Sequence, residues 1–125
     1  MKLLLDTHAL LWWGEDSPGL GEEARRQIAS RANTVFVSSV SAIEIATKFR
    51  LGKLPSAQPL AVDFEGETRA VGFRPLPLTI LHAQTAGSFA FAHKDRLLIA
   101  QAMLEGMALV SNEETFDGFG VSRLW

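Results

Sequence analysis

Three leucines in a row followed by an acid, Leu3-Leu4-Leu5-Asp6, constrain this chain more than any other feature. A strand with one wet face alternates apolar and polar residues. An unbroken apolar run must be covered on both faces, as strands of parallel sheets are. Asp6 then stands where the strand leaves the sheet, the carboxyl edge at which open parallel α/β folds bind ligands. The pattern returns late in the chain, where Ala108-Leu109-Val110 precedes Ser111, Asn112, Glu113 and Glu114. Two buried strands that deliver acids to one edge point to a metal site.

The stretches between these strands read mostly as helices. Thr7 to Trp13 is a short helix with Gly14 as its C-cap, and Ser17-Pro18 opens a second, with Glu22 and Glu23 near its positive end. Val35-Phe36-Val37 is a brief strand, followed by a helix from about Ser39 to Arg50. A helix from about Leu60 to Val71 stops at Gly72, Phe73 to Leu76 is a third strand, and a helix capped by Thr79 ends at Gly87. The stretch from about Asp95 to Glu105 is a further helix, closed by Gly106, and Ala108–Val110 and Val121–Leu124 supply the last strands. Short buried strands alternating with helices predict a three-layer α/β/α domain.

At 125 residues the chain suffices for one domain with a core of its own. It contains no cysteine, which excludes disulfides and thiolate metal sites and makes a reducing cytoplasm the expected compartment. No apolar segment approaches the roughly 18 residues of a membrane span. Met1-Lys2-Leu3-Leu4-Leu5 has the start of a signal peptide, but Asp6 and His8 interrupt it too early. A net charge of -2 excludes a global basic field, so contact with nucleic acid must come from local cations or a bound metal.

Each acid has a plain structural alternative. Asp6 serves equally well as the N-cap of the helix that follows, and the two roles are compatible. Glu44 lies in Val40-Ser41-Ala42-Ile43-Glu44-Ile45-Ala46 among apolar neighbours, where an ionised carboxylate must be paired, hydrogen-bonded or coordinated. Ser41 three residues earlier has capping-box spacing, and Lys48 four residues later could pair with it. Asp95 is also a cap candidate, and Glu113 could be a solvated loop acid. Jointly they are more telling, because in a parallel sheet all four positions fall at one edge. Clustered carboxylates are best tolerated around a hard cation, and oxygen ligands with several retained waters describe Mg²⁺ or Mn²⁺.

In these residues the chain resembles the PIN-domain nucleases, specifically the VapC-type toxins of bacterial toxin–antitoxin pairs. The matching segments are Leu3 to Trp13, Val37-Ser38-Ser39-Val40-Ser41-Ala42-Ile43-Glu44-Ile45, Leu51-Gly52-Lys53-Leu54, Asp95-Arg96-Leu97-Leu98-Ile99-Ala100-Gln101-Ala102 and Gly120 to Trp125. The resemblance implies a parallel sheet ordered 3-2-1-4-5 and a Mg²⁺-dependent endoribonuclease. Asp6, Glu44 and Asp95 match the three catalytic, metal-binding acids. Glu113 falls at the fourth metal position, where relatives usually have Asp, and Thr7 and Ser111 match the supporting hydroxyls. By similarity the acids hold one or two metal ions that activate water, and the products carry 5′-phosphate and 3′-hydroxyl ends. Relatives approach the third acid through His-x-Asp-Pro-Phe-Asp-Arg, whereas His93-Lys94-Asp95-Arg96 lacks the middle residues. That shortening motivates an alternative, a catalytically weakened PIN domain that binds an antitoxin or RNA. A phosphatase using Asp6 as nucleophile is a third reading, but it needs a second acid where His8 stands.

The resemblance also implies partners, namely a VapB-type antitoxin, an RNA substrate and a second protomer in a homodimer. Trp12 and Trp13 are adjacent on a short helix and point about 100° apart, so at least one is expected to be substantially exposed. Lys48, Arg50 and Lys53 cluster at the end of the Glu44 helix, where they either meet RNA phosphates or simply complement the helix dipole. His8 and His93 are expected to be polar surface histidines. His82 is expected to cap or pack within its helix.

Overall fold

The structure is a computed structural model and describes residues 1–125. Its elements run β1 (Lys2–Leu5), α1 (Thr7–Gly14), α2 (Glu22–Ala29), β2 (Thr34–Ser38), α3 (Ser39–Arg50), α4 (Gln58–Val62) and α5 (Phe64–Ala70). They continue through β3 (Arg74–Leu76), α6 (Ile80–Ser88), α7 (Arg96–Glu105), β4 (Ala108–Val110) and β5 (Arg123–Leu124). The five strands form one sheet in the order β3-β2-β1-β4-β5, and every pairing is parallel.

The leucine run explains the centre of this sheet. Successive side chains of a strand point to opposite faces, so Leu3 and Leu5 enter one core and Leu4 the other. All three are fully buried, each worth about 2 kcal/mol relative to exposure. The first core lies under α1, α2 and α3, with Leu10, Ala24, Ile28 and Ile45 meeting Val35 and Val37 of the sheet. The second lies under α7, where Leu98, Ile99 and Ala102 cover Leu4 and Leu109. Leu98 to Ala102 are buried without interruption, as an almost wholly apolar helix requires.

The structure differs from the expected elements in several places, among them the ends of α1 and α6, which run through Gly14 and Gly87 to C-caps at Glu15 and Phe89. The helix expected from Leu60 to Val71 is two, because Asp63 breaks the chain and caps α5 by accepting the Gly66 N–H at 3.0 Å. Ser17-Pro18 lies in a turn, and α2 begins only at Glu22 behind Gly21. The third strand starts at Arg74, and Pro75 is tolerated because β3 is an edge strand. The last strand is confined to Arg123–Leu124. Gly106 ends α7 in the left-handed region at φ 65°, the C-cap expected of it.

The topology decides where side chains meet. From β1 the chain crosses to β2 on one side, and it later returns to β4 on the other. Ligands of such sheets bind outside the carboxyl ends of the strands at this switch point. Asp6 follows β1, Ser38 closes β2 and Ser111 follows β4, with Leu5 in register with Val110.

Candidate metal centre

Asp6 is held from both sides. Its backbone N–H donates to Val110 O at 3.1 Å, continuing the β1–β4 ladder, and its Oδ1 accepts the Ala9 N–H at 2.8 Å. Asp6 is therefore the N-cap of α1, and it remains at the sheet edge with only 7% of its surface exposed. Burial pushes its carboxyl above the ordinary aspartate range, against hydrogen bonding from Ser111 and Ala9, and the Asp95 charge pushes in the same direction.

Glu44 projects from the second turn of α3 and is half-buried. Ser38 is the N-cap of that helix, its Oγ accepting the Val40 N–H at 3.0 Å, so Ser41 is not the cap and the capping-box alternative falls. The ion-pair alternative stands, since Lys48 Nζ lies 2.7 Å from Oε2. Thr7 Oγ1 donates to Oε1 at 2.7 Å, and Ser41 Oγ stands 3.0 Å from the same hydroxyl. With the Thr7 proton committed to Glu44, Ser41 donates to Thr7. Burial alone would raise the Glu44 carboxyl, but the bonds from Lys48 and Thr7 outweigh it and hold the group below its ordinary range.

Asp95 flanks α7 in the cap position, yet its side chain makes no capping bond. The capping alternative for this acid therefore does not hold. Burial raises its pKa, the charges of Glu44 and Glu113 add to this, and Lys94 opposes it. Glu113 is not a freely solvated loop acid. Its N–H donates to Ser111 Oγ at 3.0 Å, and its Oε1 accepts from Thr115 Oγ1 at 2.8 Å.

Ligand atoms of His93, Asp95 and Glu113 lie within 4.8 Å of one another. Asp6 and Glu44 stand outside that tightest group but reach it electrostatically, Asp6 through the Asp95 charge and Glu44 through its effect on Asp95. Four carboxylates thus gather toward one edge, and two of them, Asp6 and Asp95, are raised by burial and by the charge of another acid of the set. Lys48 is the cation paired with a member of the set. Such a donor set, all oxygen and net negative, fits a hard divalent cation.

Other residues at or near the site depart from the sequence expectation or add to it. His93 is not a surface residue but half-buried against Phe116 and Phe119, with ring centroids 5.1 and 5.6 Å away. His8 is exposed as expected, with its ring 5.6 Å from that of Trp12. His82 both caps and packs. It forms a reciprocal capping box with Thr79 and is buried, while Nε2 meets Glu105 Oε1 at 2.8 Å. Gln101, fully buried on α7, accepts from Ser38 Oγ at 2.6 Å and approaches His82 Nδ1 at 3.4 Å. It thereby ties the helix after Asp95 to the cap of the helix bearing Glu44. One polar residue within an otherwise buried run was the available signal.

Trp12 and Trp13 are both half-buried, so neither is substantially exposed as expected. Trp125 folds back onto Trp12 at 5.7 Å and onto Gly21, and Phe73 packs on Trp13 at 6.2 Å. A groove of about 370 Å³ beside Trp13 is floored by Leu10, Leu11, Ala57, Leu60 and Phe73, with Glu15 and Glu67 among its lining, and none of the four acids lines it. Lys48 is committed to Glu44, which leaves Arg50 and Lys53 exposed at that helix end. Lys94 and Arg96, on either side of Asp95, are exposed as well.

A model of the PIN domain family matches residues 3–121, nearly the whole chain. The chain belongs to the PIN domain family. Ribonuclease VapC16 of Mycobacterium tuberculosis is 39% identical over 64 residues, a match covering 51% of this chain and 44% of that protein. The match thus spans less than half the length of this curated relative. VapBC2 from Rickettsia felis, solved bound to a DNA fragment from its promoter, superposes with a TM-score of 0.71 at 15% identity, covering 99% of this chain and 98% of that one. The sarcin-ricin-loop-cleaving toxin VapC20 of Mycobacterium tuberculosis gives 0.67 at 17% identity over 95% of both chains. At these identities the likeness concerns the fold, and it agrees with the PIN sheet order found here. No helix of this PIN domain is long and apolar enough to cross a membrane.

Proposed function

We propose that this PIN domain is a divalent-cation-dependent endoribonuclease toxin of a VapBC-type pair, with residues 1–125 acting as one catalytic unit. Asp6, Glu44 and Asp95 are the catalytic acids, and together with Glu113 they hold Mg²⁺, or Mn²⁺ in its place. The observation that carries this reading is the uncapped Asp95 carboxylate, raised by burial and by the charges of Glu44 and Glu113. A fold keeps such repulsion where a cation relieves it.

When bound, a divalent cation supplies Lewis-acid activation of water and neutralises charge on the scissile phosphodiester. The chain's own residues prepare the site. Thr7 fixes one oxygen of Glu44 while Ser41 fixes Thr7, and the α1 cap fixes one oxygen of Asp6 and leaves the other for the site. Ser111 anchors the backbone before the Glu113 side chain. Lys94 and Arg96, exposed beside Asp95, are suited to flanking phosphates and would position RNA without reading its bases. The named activity of the VapC relative supports RNA as the substrate. The VapBC likeness supports a VapB-type antitoxin as partner, and the apolar groove beside Trp13 suits one of its helices. Homodimerisation completes the proposal, with exposed Ile80 and Leu81 as candidate contacts.

The test is RNA cleavage by wild type and Asp95→Asn with Mg²⁺ and with chelator. Cleavage that requires both the acid and the cation is expected. Equal cleavage by the two proteins would refute the proposal. One observation favours the weakened-domain alternative, because the Lys48 ammonium already occupies Oε2 of Glu44. Absence of cleavage in both Mg²⁺ and Mn²⁺, together with tight antitoxin binding, would select it.

A further inference from the structure

His93, Asp95 and Glu113 approach one another closely enough to hold a metal through one imidazole and two carboxylates. The hydrogen bonds argue otherwise. The Asp95 N–H donates to His93 Nδ1 at 3.0 Å, so the Nδ1 lone pair is in use. A neutral imidazole carries one N–H, which must then sit on Nε2. Nε2 faces Thr115 Oγ1 at 3.5 Å, the longest link, and Thr115 Oγ1 in turn donates to Glu113 Oε1 at 2.8 Å. Because the Thr115 proton is committed to Glu113, its oxygen accepts from Nε2–H. The roles agree in one direction only, from the Asp95 backbone through His93 and Thr115 to the Glu113 carboxylate. Phe116 and Phe119 hold the ring edge-on from the side.

We infer that His93 and Thr115 are positioning residues, not metal ligands, and that they fix the third and fourth acids relative to each other. This rests on the metal-site reading proposed above. The relay supplies what the short His93-Lys94-Asp95 approach lacks, a tether between the start of α7 and the loop after β4. It also gives the longer Glu113 side chain a fixed oxygen, where a carboxylate with an extra methylene would otherwise sample several rotamers. Outer partners of this kind typically contribute ten- to a hundredfold to metal affinity.

Three measurements on the whole protein test this. Long-range ¹H–¹⁵N spectra of the metal-free form read the His93 tautomer, and protonated Nε2 with bare Nδ1 is expected. A proton on Nδ1 overturns the inference. Electron spin-echo spectra of the Mn²⁺-loaded protein should show no directly bound imidazole nitrogen, and its presence would make His93 a ligand. Mn²⁺ affinity should fall about tenfold in Thr115→Val and recover in Thr115→Ser. The melting temperature should stay nearly constant throughout, because Thr115 is exposed. Unchanged affinity in Thr115→Val refutes the relay. If wild type binds no Mn²⁺ at all, the metal-site reading falls and the positioning role falls with it. The tautomer measurement needs no metal, so it tells that failure apart from a wrong hydrogen-bond pattern.

Discussion

Asp6 performs two tasks that two substitutions can separate. Its Oδ1 caps α1 through the Ala9 N–H at 2.8 Å, and its charge is one of those assigned to the metal site. Asp6→Asn keeps a carbonyl oxygen in the capping position and removes the charge, and the Ser111 hydroxyl can rotate to accept from the new amide. Asp6→Ala removes both. The difference between the variants is therefore the cap, about 1 kcal/mol. In a domain of this size that corresponds to roughly 3–6 °C in melting temperature. Burial and the Asp95 charge oppose ionisation of Asp6, so Asp6→Asn in metal-free buffer near pH 7.5 should melt no lower than wild type. Added Mg²⁺ at about 100 times its Kd should stabilise wild type by about 2.7 kcal/mol and stabilise either variant far less. Thermal melts with and without Mg²⁺ supply all six values. Equal melting of the two variants would show that the cap contributes nothing. Mg²⁺ stabilisation of Asp6→Asn as large as that of wild type would refute the charge's place in the site.

The remaining expectations concern pH, the buried amide and the ion pair. Asp6 and Asp95 bind protons more tightly folded than unfolded, so metal-free wild type should lose stability as pH rises from the ordinary carboxylate range through their raised values. The Asp6→Asn/Asp95→Asn double variant should lose less over that window, and parallel denaturation curves for the two proteins would contradict the pKa directions. Glu44 has the opposite sign, its contribution being lost as pH falls through its lowered value. Gln101→Leu leaves the buried Ser38 hydroxyl without its acceptor, which should cost about 1–3 kcal/mol in urea denaturation. A change below about 0.5 kcal/mol would remove the network from the account. Lys48→Gln breaks a half-exposed pair and should cost no more than about 1 kcal/mol, while Glu44 becomes easier to protonate in NMR titration.

Much of this PIN domain was legible because its signals are local. Unalternated apolar runs must be covered on both faces, so Leu3–Leu5 and Ala108–Val110 announced central parallel strands. The β4 boundaries could be read directly, since a short apolar run between polar residues marks them without reference to distant chain. Where a competing local signal intervened, reading failed. Asp63 split a helix that periodicity had joined, and Ser17-Pro18 made a turn instead of opening α2. The four acids could be nominated because strand ends and helix starts of a parallel sheet share an edge.

What remained hidden was which alternative each nominated side chain takes, because distant partners decide it. Asp6 proved to be a cap as well as a member of the acidic set, whereas Asp95 sits in a cap position without capping. Ser41, which looked like the cap serving Glu44, instead supports it through Thr7 of another helix. His93, expected at the surface, is half-buried because Phe116 and Phe119 of the 3₁₀ segment Glu114–Phe119 pack against its ring. The exposure expected of at least one of Trp12 and Trp13 gives way to half-burial of both, under Trp125 and Phe73. Local pattern was enough to place the buried strands, their covered faces and the candidate acids at strand ends, since periodicity is a property of neighbouring residues, whereas the strand order came from the family resemblance. Only the tertiary structure decided how the acids are charged, held and paired, because hydrogen bonds and burial at this edge join residues from Asp6 to Thr115.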